Sequence, residues 1–210
     1  MPGRSLLIRD IHTLALMDDR DTVLHGASLH IAGGEIRLVV NSGAKLPKMD
    51  RVIGGRHAVV VPGLVNTHHH LYQTLTRAYG PAADAGLFDW LRTLYPIWAR
   101  LDEESLYTAA QAGMAELLLS GCTTTADHHY VFPRKYPMLI DVEIAAARRI
   151  GIRFHPARGS MSVGRTKGGL PPDSIVQSEE RILADSGWWR RGWSNTCGRT
   201  TSCSRITWTT

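Results

Sequence analysis

The sequence predicts an α/β fold in which a small β-rich lobe precedes about three parallel βα units. Up to about residue 58, short apolar segments are separated by glycines, and no helical period appears. From there to about residue 186, β-branched segments alternate with segments of helical period, as is typical of parallel strands joined by helices. The expected domains are therefore residues 1–58 and residues 59–186.

The first lobe is expected to be part of a β-sandwich or β-roll. Residues 6–8 read as an apolar strand, and residues 28–31 and 35–40 read as two more. Gly33 and Gly34 lie between the last two segments. A glycine pair between two strand-like segments predicts a tight β-hairpin.

The second region begins with a β-branched segment at residues 58–65, which predicts one strand buried on both faces. Asp102 is expected to cap the first helix, and Gly121 is expected to end it. The elements expected after it are a strand at 123–126, a helix from Pro137 that stops at Gly151, a strand at 152–157 and a helix at 179–184.

The composition excludes several classes of protein. Hydrophobic residues make up 43% of the 210 residues and charged residues 20%, as in soluble globular proteins. The longest apolar segment is far shorter than the roughly 20 residues of a membrane span, and no apolar signal segment follows the first methionine. Three cysteines without a pairing pattern argue against a disulfide framework. We therefore expect a cytoplasmic protein without a membrane partner.

The segment 187–210 differs in composition from the rest of the chain. It holds four arginines, four of the six tryptophans, two of the three cysteines and no acidic residue. Without these four arginines the chain has 20 basic and 19 acidic residues. The rest of the chain therefore lacks the basic surface that binds a phosphate backbone, and no nucleic-acid partner is expected. The segment has no periodic pattern. This favours translation of a shifted reading frame over the alternative, an ordinary polar tail.

Two histidines separated by one residue directly follow the strand predicted at 58–65. His68 and His70 should point to the same side of an extended chain, while His69 points away. The pair is therefore expected to bind one divalent metal ion. Neutral imidazole suits zinc, with iron(II) as the alternative. The competing interpretation is an accidental histidine cluster at the surface.

Residues 62–70, with the sequence PGLVNTHHH, resemble the first-strand metal motif of the amidohydrolase superfamily. Residues 66–78, 91–101, 117–130 and 158–163 are similar to the 8-oxoguanine deaminases, within the branch of cytosine, guanine and S-adenosylhomocysteine deaminases. The resemblance covers residues 5–186. It implies a (β/α)8 TIM barrel of which this chain contains the first units, a mononuclear metal that is usually zinc, a heterocyclic base as substrate and a homo-oligomer.

The resemblance also implies metal ligands and acid-base residues beyond His68 and His70. These are a histidine after the fifth strand, an aspartate after the eighth, a glutamate in a His-Leu-Ala-Glu segment and a histidine on the sixth strand. An eight-stranded barrel needs about 250 residues, and no such segment follows residue 70. We therefore expect no catalytic residue in this chain, which predicts an inactive truncated form.

Further polar residues follow the predicted strands. Gln73 has an amide that both donates and accepts, which suits the N–C=O edge of a purine, and the resemblance implies a substrate-reading glutamine here. Its alternative is a solvent-facing loop residue. Arg158 could bind a substrate carbonyl or carboxylate, or form a core ion pair. Asp127, His128 and His129 end the second strand and could support the metal ligands or have structural roles.

The leading functional hypothesis is hydrolytic deamination of an oxidised purine of the 8-oxoguanine type. The H-x-E and P-C-x-x-C signature of the other zinc deaminase class is absent from the sequence. One alternative is an aminohydrolase acting on triazines or related heterocycles. Another is a non-catalytic fragment, which the shortage of strands and ligands favours.

Overall fold

The structure is a computed structural model that describes residues 5–41, 43 and 48–196, with side chains described as far as residue 187. The chain forms two compact units, Met1–Gly63 and Leu64–Thr210. Among the described residues, no helix combines the length and the apolar character that crossing a bilayer requires.

The first unit contains two small sheets. In the larger sheet the strands lie in the order β5-β4-β1-β6, and in the smaller one in the order β3-β2-β7. The predicted hairpin is present, because β4 and β5 pair antiparallel across Gly33 and Gly34, both at positive φ. The strands are β1 (Leu6–Ile11), β2 (Thr13–Ala15), β3 (Val23–Leu24), β4 (Ala27–Ala32), β5 (Glu35–Val40), β6 (Arg51–Gly54) and β7 (Val59–Val60).

The two sheets of this unit contribute side chains to one apolar cluster. Ile11 and Leu29 come from the larger sheet and Leu14 from the smaller one, and all three are buried. Gly55 packs closely against Ile11, since a Cβ at Gly55 would lie 2.9 Å from the Ile11 Cα atom. A larger residue at Gly55 would therefore push the two segments apart.

The second unit is built on three parallel strands in the order β10-β9-β8. This is the parallel strand-helix alternation that the sequence predicts. The strands are β8 (Leu64–Asn66), β9 (Cys122–His129) and β10 (Arg153–Arg158), and the helices are α1 (Leu87–Trp98), α2 (Glu103–Leu119), α3 (Leu139–Ile150) and α4 (Glu179–Thr196).

The predicted helix boundaries are largely confirmed. Asp102 caps α2, because its side chain accepts a hydrogen bond from the Ser105 amide at 2.8 Å. Gly121 and Gly151 follow α2 and α3 at φ values of 89° and 87°, a conformation that favours glycine. Helix α4 continues to Thr196, although the sequence shows no helical period beyond residue 186. The rest of the segment 187–210 lies outside the described residues.

The single buried strand predicted at 58–65 is wrong. The structure has two short strands instead, with β7 in the first unit and β8 in the second. Pro62 and Gly63 separate them, because proline has no amide hydrogen for a ladder and glycine is a weak strand former. The side chains are also exposed, by 57% at Leu64 and 64% at Val65.

Helices α2 and α3 pack on one side of the sheet in the second unit. Their apolar side chains form a core with residues of β10 and of the short 3-10 helix Leu71–Thr76. The side chains of β9 alternate in burial as a result. Asp127 and His129 are fully buried, and His128 is half-buried. This alternation places neighbouring polar residues on opposite sides of one strand.

Candidate metal centre

The candidate centre lies where β8 ends and the chain turns into the 3-10 helix Leu71–Thr76. Strand β8 pairs with β9 in parallel, so the segment after Asn66 lies beside the carboxyl end of β9. A backbone hydrogen bond from the His128 amide to the His69 carbonyl, 2.8 Å long, extends this pairing past the strand. Parallel α/β enzymes place their chemistry at this end of their strands.

The structure brings His68 and His70 together. Their ring centroids lie 4.9 Å apart with the ring planes nearly perpendicular. His69 lies apart from them, with its Cε1 atom next to Gly113 of α2. Its Nδ1 atom is buried without a hydrogen-bond partner among the described residues. The arrangement follows the two-residue side-chain period of an extended chain.

His70 is held in an orientation that suits metal binding. Its Nδ1 atom lies 2.8 Å from the His128 carbonyl oxygen. Since a carbonyl oxygen only accepts, Nδ1 carries the proton and donates it, and the lone pair of Nε2 remains available. Burial also lowers the pKa of His70, which favours the neutral ring. Metal-bound histidines commonly donate their second N–H to a backbone carbonyl in this way.

His128 is a third imidazole on the same side of the sheet. Its ring centroid lies 4.5 Å from that of His68 and 6.1 Å from that of His70. Burial lowers the pKa of His128 and so favours its neutral form. Tyr130 lies nearby, with its ring 5.3 Å from that of His70. The centre is thus lined by three imidazoles and an aromatic ring.

Gln73 lies beside the histidines. Its backbone amide donates to the His70 carbonyl at 2.9 Å, and its side-chain Nε2 lies 3.4 Å from the Tyr72 hydroxyl. Its side chain lines a cavity of about 240 Å³, together with His69, His70, Thr74 and Arg77. This position is compatible with the predicted contact to a small polar ligand.

Arg158 lies elsewhere, at the end of β10. Its guanidinium is buried and donates to the Gly159 carbonyl at 2.7 Å and to the Gln177 side chain. It also lies 3.4 Å from an oxygen of Asp185 and 4.5 Å above the Phe132 ring. These contacts correspond to the core ion pair that the sequence left open as the alternative to substrate binding.

A second polar cluster, formed by Asp127, His129 and Glu143, lies on the helix side of β9. All three side chains are fully buried, and one ligand-type atom from each lies within 4.8 Å of the others. His129 Nδ1 lies 2.9 Å from Glu143 Oε1, and His129 Nε2 lies 2.7 Å from the Val131 carbonyl. Within the described part of the chain, Asp127 Oδ2 and Glu143 Oε2 have no hydrogen-bond partner.

Protonation keeps this cluster from carrying several buried charges. Nε2 of His129 must donate to the Val131 carbonyl, so in a neutral ring Nδ1 accepts a proton from Glu143. Burial lowers the pKa of His129 to about 4 and raises that of Glu143 to about 8, and both shifts favour this neutral pair. Burial also raises the pKa of Asp127, with a further rise from the Glu143 charge.

Sequence reasoning did not identify Glu143 as a site residue. It lies on α3 next to Ile144 and three residues after Ile140, on a helix face that is otherwise apolar. A carboxylate on the buried stripe of a helix is rare unless it has a partner. That interruption of the apolar stripe was the available signal.

The second unit combines a parallel strand-helix fold with two histidines that converge at the carboxyl end of β8. Residues 59–188 match the amidohydrolase family, so this chain belongs to that family.

The chain is similar to three characterised proteins over part of their length. It is 59% identical to 8-oxoguanine deaminase of Pseudomonas aeruginosa over 131 residues, which cover 62% of this chain and 29% of the deaminase. It is 34% identical to hydroxydechloroatrazine ethylaminohydrolase of Pseudomonas sp. strain ADP over 193 residues, 85% of this chain and 40% of that enzyme.

The third is the crystal structure of atrazine chlorohydrolase TrzN from Arthrobacter aurescens TC1 complexed with zinc. It superposes with a TM-score of 0.85 at 30% identity, over 97% of this chain and 46% of that protein. The chain therefore spans less than half the length of each of these relatives.

Proposed function

We propose that this chain is the N-terminal part of a metal-dependent aminohydrolase that deaminates an oxidised purine of the 8-oxoguanine type. The observation that carries the proposal is the convergence of His68 and His70 at the carboxyl end of β8. The 59% identity to an 8-oxoguanine deaminase supports the choice of substrate class.

In this proposal His68 and His70 hold one divalent metal ion, with zinc preferred over iron(II). The donor set fits such an ion, because His70 is neutral and its Nδ1 proton is already donated to the His128 carbonyl. A bound divalent metal lowers the pKa of a water molecule and so supplies hydroxide for attack on an amidine carbon. Gln73 is assigned to the N–C=O edge of the base, since its side chain lines the cavity beside His70.

The same proposal assigns an architecture. Strands β8, β9 and β10 are the first three strands of a (β/α)8 TIM barrel, and residues 1–58 are part of a β-sandwich lobe. The similarity to TrzN supports the barrel assignment. Residues 187–210 are assigned to a shifted reading frame. The remaining metal ligands and the acid-base residues then belong to strands that this chain does not include, and the chain by itself is inactive.

Activity on a triazine is the second candidate. The aligned region of hydroxydechloroatrazine ethylaminohydrolase is longer than that of the deaminase, 193 residues against 131. Both substrate classes are nitrogen heterocycles with an exocyclic amine, which the same metal chemistry would hydrolyse. A complete protein from the same locus should be tested on 8-oxoguanine and on a hydroxylated aminotriazine. The purine should react with the larger kcat/KM.

The test of the main proposal is ammonia release from 8-oxoguanine with added zinc. The 210-residue chain should show no turnover, because two histidines fall short of the three or four ligands of ordinary zinc sites. Reading the encoding DNA in the other frames should recover a His-Leu-Ala-Glu segment, and the frame-restored protein should release ammonia. Turnover by the 210-residue chain that His68→Ala abolishes would contradict the truncation. A frame-restored protein without deaminase activity would contradict the substrate.

A further inference from the structure

The Asp127–His129–Glu143 cluster contacts the segment that carries the candidate metal ligands. Asp127 Oδ1 accepts a hydrogen bond of 2.6 Å from the Leu71 amide, and Leu71 directly follows His70. Both groups are fully buried, so water does not compete for this bond. A side chain on the helix side of β9 therefore holds the backbone next to a candidate metal ligand on the other side.

Two further hydrogen bonds connect residues 69–70 to β9. They run from the His128 amide to the His69 carbonyl and from the His70 imidazole to the His128 carbonyl, each 2.8 Å long. Both use a backbone group of His128, which no side-chain substitution removes. The His128 ring also bonds the Thr67 backbone, before His68, whereas Asp127 supplies the β9 side chain that bonds the backbone directly after His70.

The orientation of Asp127 depends in turn on its two buried neighbours. Glu143 bonds His129, and His129 is fixed at its other nitrogen by the Val131 carbonyl. The carboxyl groups of Asp127 and Glu143 belong to the same cluster, in which one ligand-type atom from each of the three residues lies within 4.8 Å of the others. The Glu143 charge acts on Asp127 at this buried position, and the packed surroundings limit rotation of the Asp127 side chain.

We propose that Asp127, His129 and Glu143 form a positioning triad, in which Glu143 and His129 orient Asp127, and Asp127 fixes the backbone that aims His70 at the metal. The proposal rests on the metal assignment of the proposed function. The triad touches neither metal nor substrate, and it acts through the Leu71 amide. The same atoms could instead bind a cation themselves, which the experiment distinguishes.

The test is a titration of the 210-residue chain with Co(II), read from its visible absorption, which reports ligand number and geometry. The variants are Asp127→Ala, Asp127→Asn and Glu143→Ala. Cys122→Ala is the matched control, since Cys122 is buried on the same strand and lies outside the triad. Asp127→Ala should lower Co(II) affinity by about 10- to 100-fold and alter the spectrum, the usual effect of losing a group that supports a metal ligand.

The conservative variant Asp127→Asn distinguishes a positioning role from general destabilisation of the fold. Asp127→Asn keeps an oxygen that can accept from Leu71, so its Co(II) affinity should stay within about threefold of the parent. Glu143→Ala should lower the affinity, since Asp127 loses its support. Asp127→Ala binding Co(II) as tightly as the parent, or Cys122→Ala losing as much affinity, would overturn the proposal.

A second measurement does not depend on the metal. Hydrogen exchange of the Leu71 amide should be slow in the parent and at least about tenfold faster in Asp127→Ala, relative to the other amides of the second unit. Unchanged Leu71 exchange overturns the positioning role. A parent chain that binds no Co(II) overturns the metal assignment of the proposed function, and the exchange result then decides separately whether Asp127 holds the segment.

Stoichiometry tests whether the triad is itself a cation site. The double variant His68→Ala, His70→Ala should bind no Co(II). One tightly bound Co(II) in that variant, removed by Glu143→Ala, would show that the triad is a metal site and would overturn the positioning role.

Discussion

The two sides of strand β9 place neighbouring histidines in opposite environments. His128 is half-buried with its ring 4.5 Å from that of His68, whereas His129 is fully buried against Glu143. His128 and His129 therefore lie on opposite faces of the sheet, because the side-chain period of a strand is two. One side carries imidazoles that an ion can reach, and the other carries a closed polar cluster.

The two sides therefore contribute differently to binding and to stability. Imidazoles that an ion can reach keep lone pairs for a ligand, and their loss should change binding more than stability. In the closed cluster every polar atom needs a partner, because an unpaired polar or charged group in the interior is costly. Removing one member there should change stability first, and it should change binding only through Asp127.

The largest expected effect is on stability. His129→Ala should lower the free energy of unfolding by about 3–5 kcal/mol. It leaves Glu143 and the Val131 carbonyl without their shared partner, at about 1–3 kcal/mol for each buried group, and it opens a cavity in the core. His128→Ala should lower it by less than about 1 kcal/mol. Urea denaturation of both variants measures the difference. Equal losses would remove the distinction between the two sides of the strand.

The next effect is on metal affinity. His70→Ala should weaken Co(II) binding by at least about 100-fold, because it removes one of the two proposed histidine ligands and metal sites normally use three or four. His69→Ala is the matched control. Its ring lies next to Gly113 of α2, so its loss should leave the affinity within about twofold. Isothermal titration calorimetry measures both affinities, and an equal loss in His69→Ala would contradict the assignment of His70.

The buried side also predicts a pH dependence of stability. The pKa of Glu143 is raised to about 8 in the folded chain, from an ordinary value of 4.5. Between pH 6.5 and 8 the unfolded carboxyl is ionised while the folded one keeps its proton, so Glu143 should make stability fall as pH rises, by at most about 1.4 kcal/mol per pH unit. Asp127, whose pKa is also raised by burial, acts in the same direction.

His129 does not offset this fall. Its pKa is lowered to about 4, so it contributes stability that is lost only as pH falls below about 6.5. Glu143→Gln should make the fall between pH 6.5 and 8 shallower, measured by urea denaturation at each pH. A parent whose stability rises over that window would contradict a protonated Glu143.

The smallest effect concerns the open side of the sheet. Leu64 and Val65 are more than half exposed, whereas parallel strands normally have both faces covered. The 210-residue chain should therefore bind a hydrophobic dye, and Val65→Thr should reduce the fluorescence modestly. A monomeric chain that unfolds cooperatively and does not bind the dye would argue against a truncated barrel.

Much of the fold could be predicted because its signals are local. The hairpin at Gly33 and Gly34 and the Asp102 cap each follow from a short stretch of sequence. The parallel pairing of the strands follows from the alternation of strand-like and helical segments. The prediction of a single strand at residues 58–65 was wrong because the local signal did not show where the two units divide. The apolar side chains of this segment predict a strand, but Pro62 and Gly63 divide it between two units.

The common side of His68 and His70 could be predicted from the sequence, since it follows from backbone geometry at two-residue spacing. The contacts of Glu143 with Asp127 and His129, and of Arg158 with Asp185, arise only from the packing of the folded chain. These contacts join residues 14 or more positions apart on different elements. No local period encodes them, because they depend on how α3 and α4 pack against the strands.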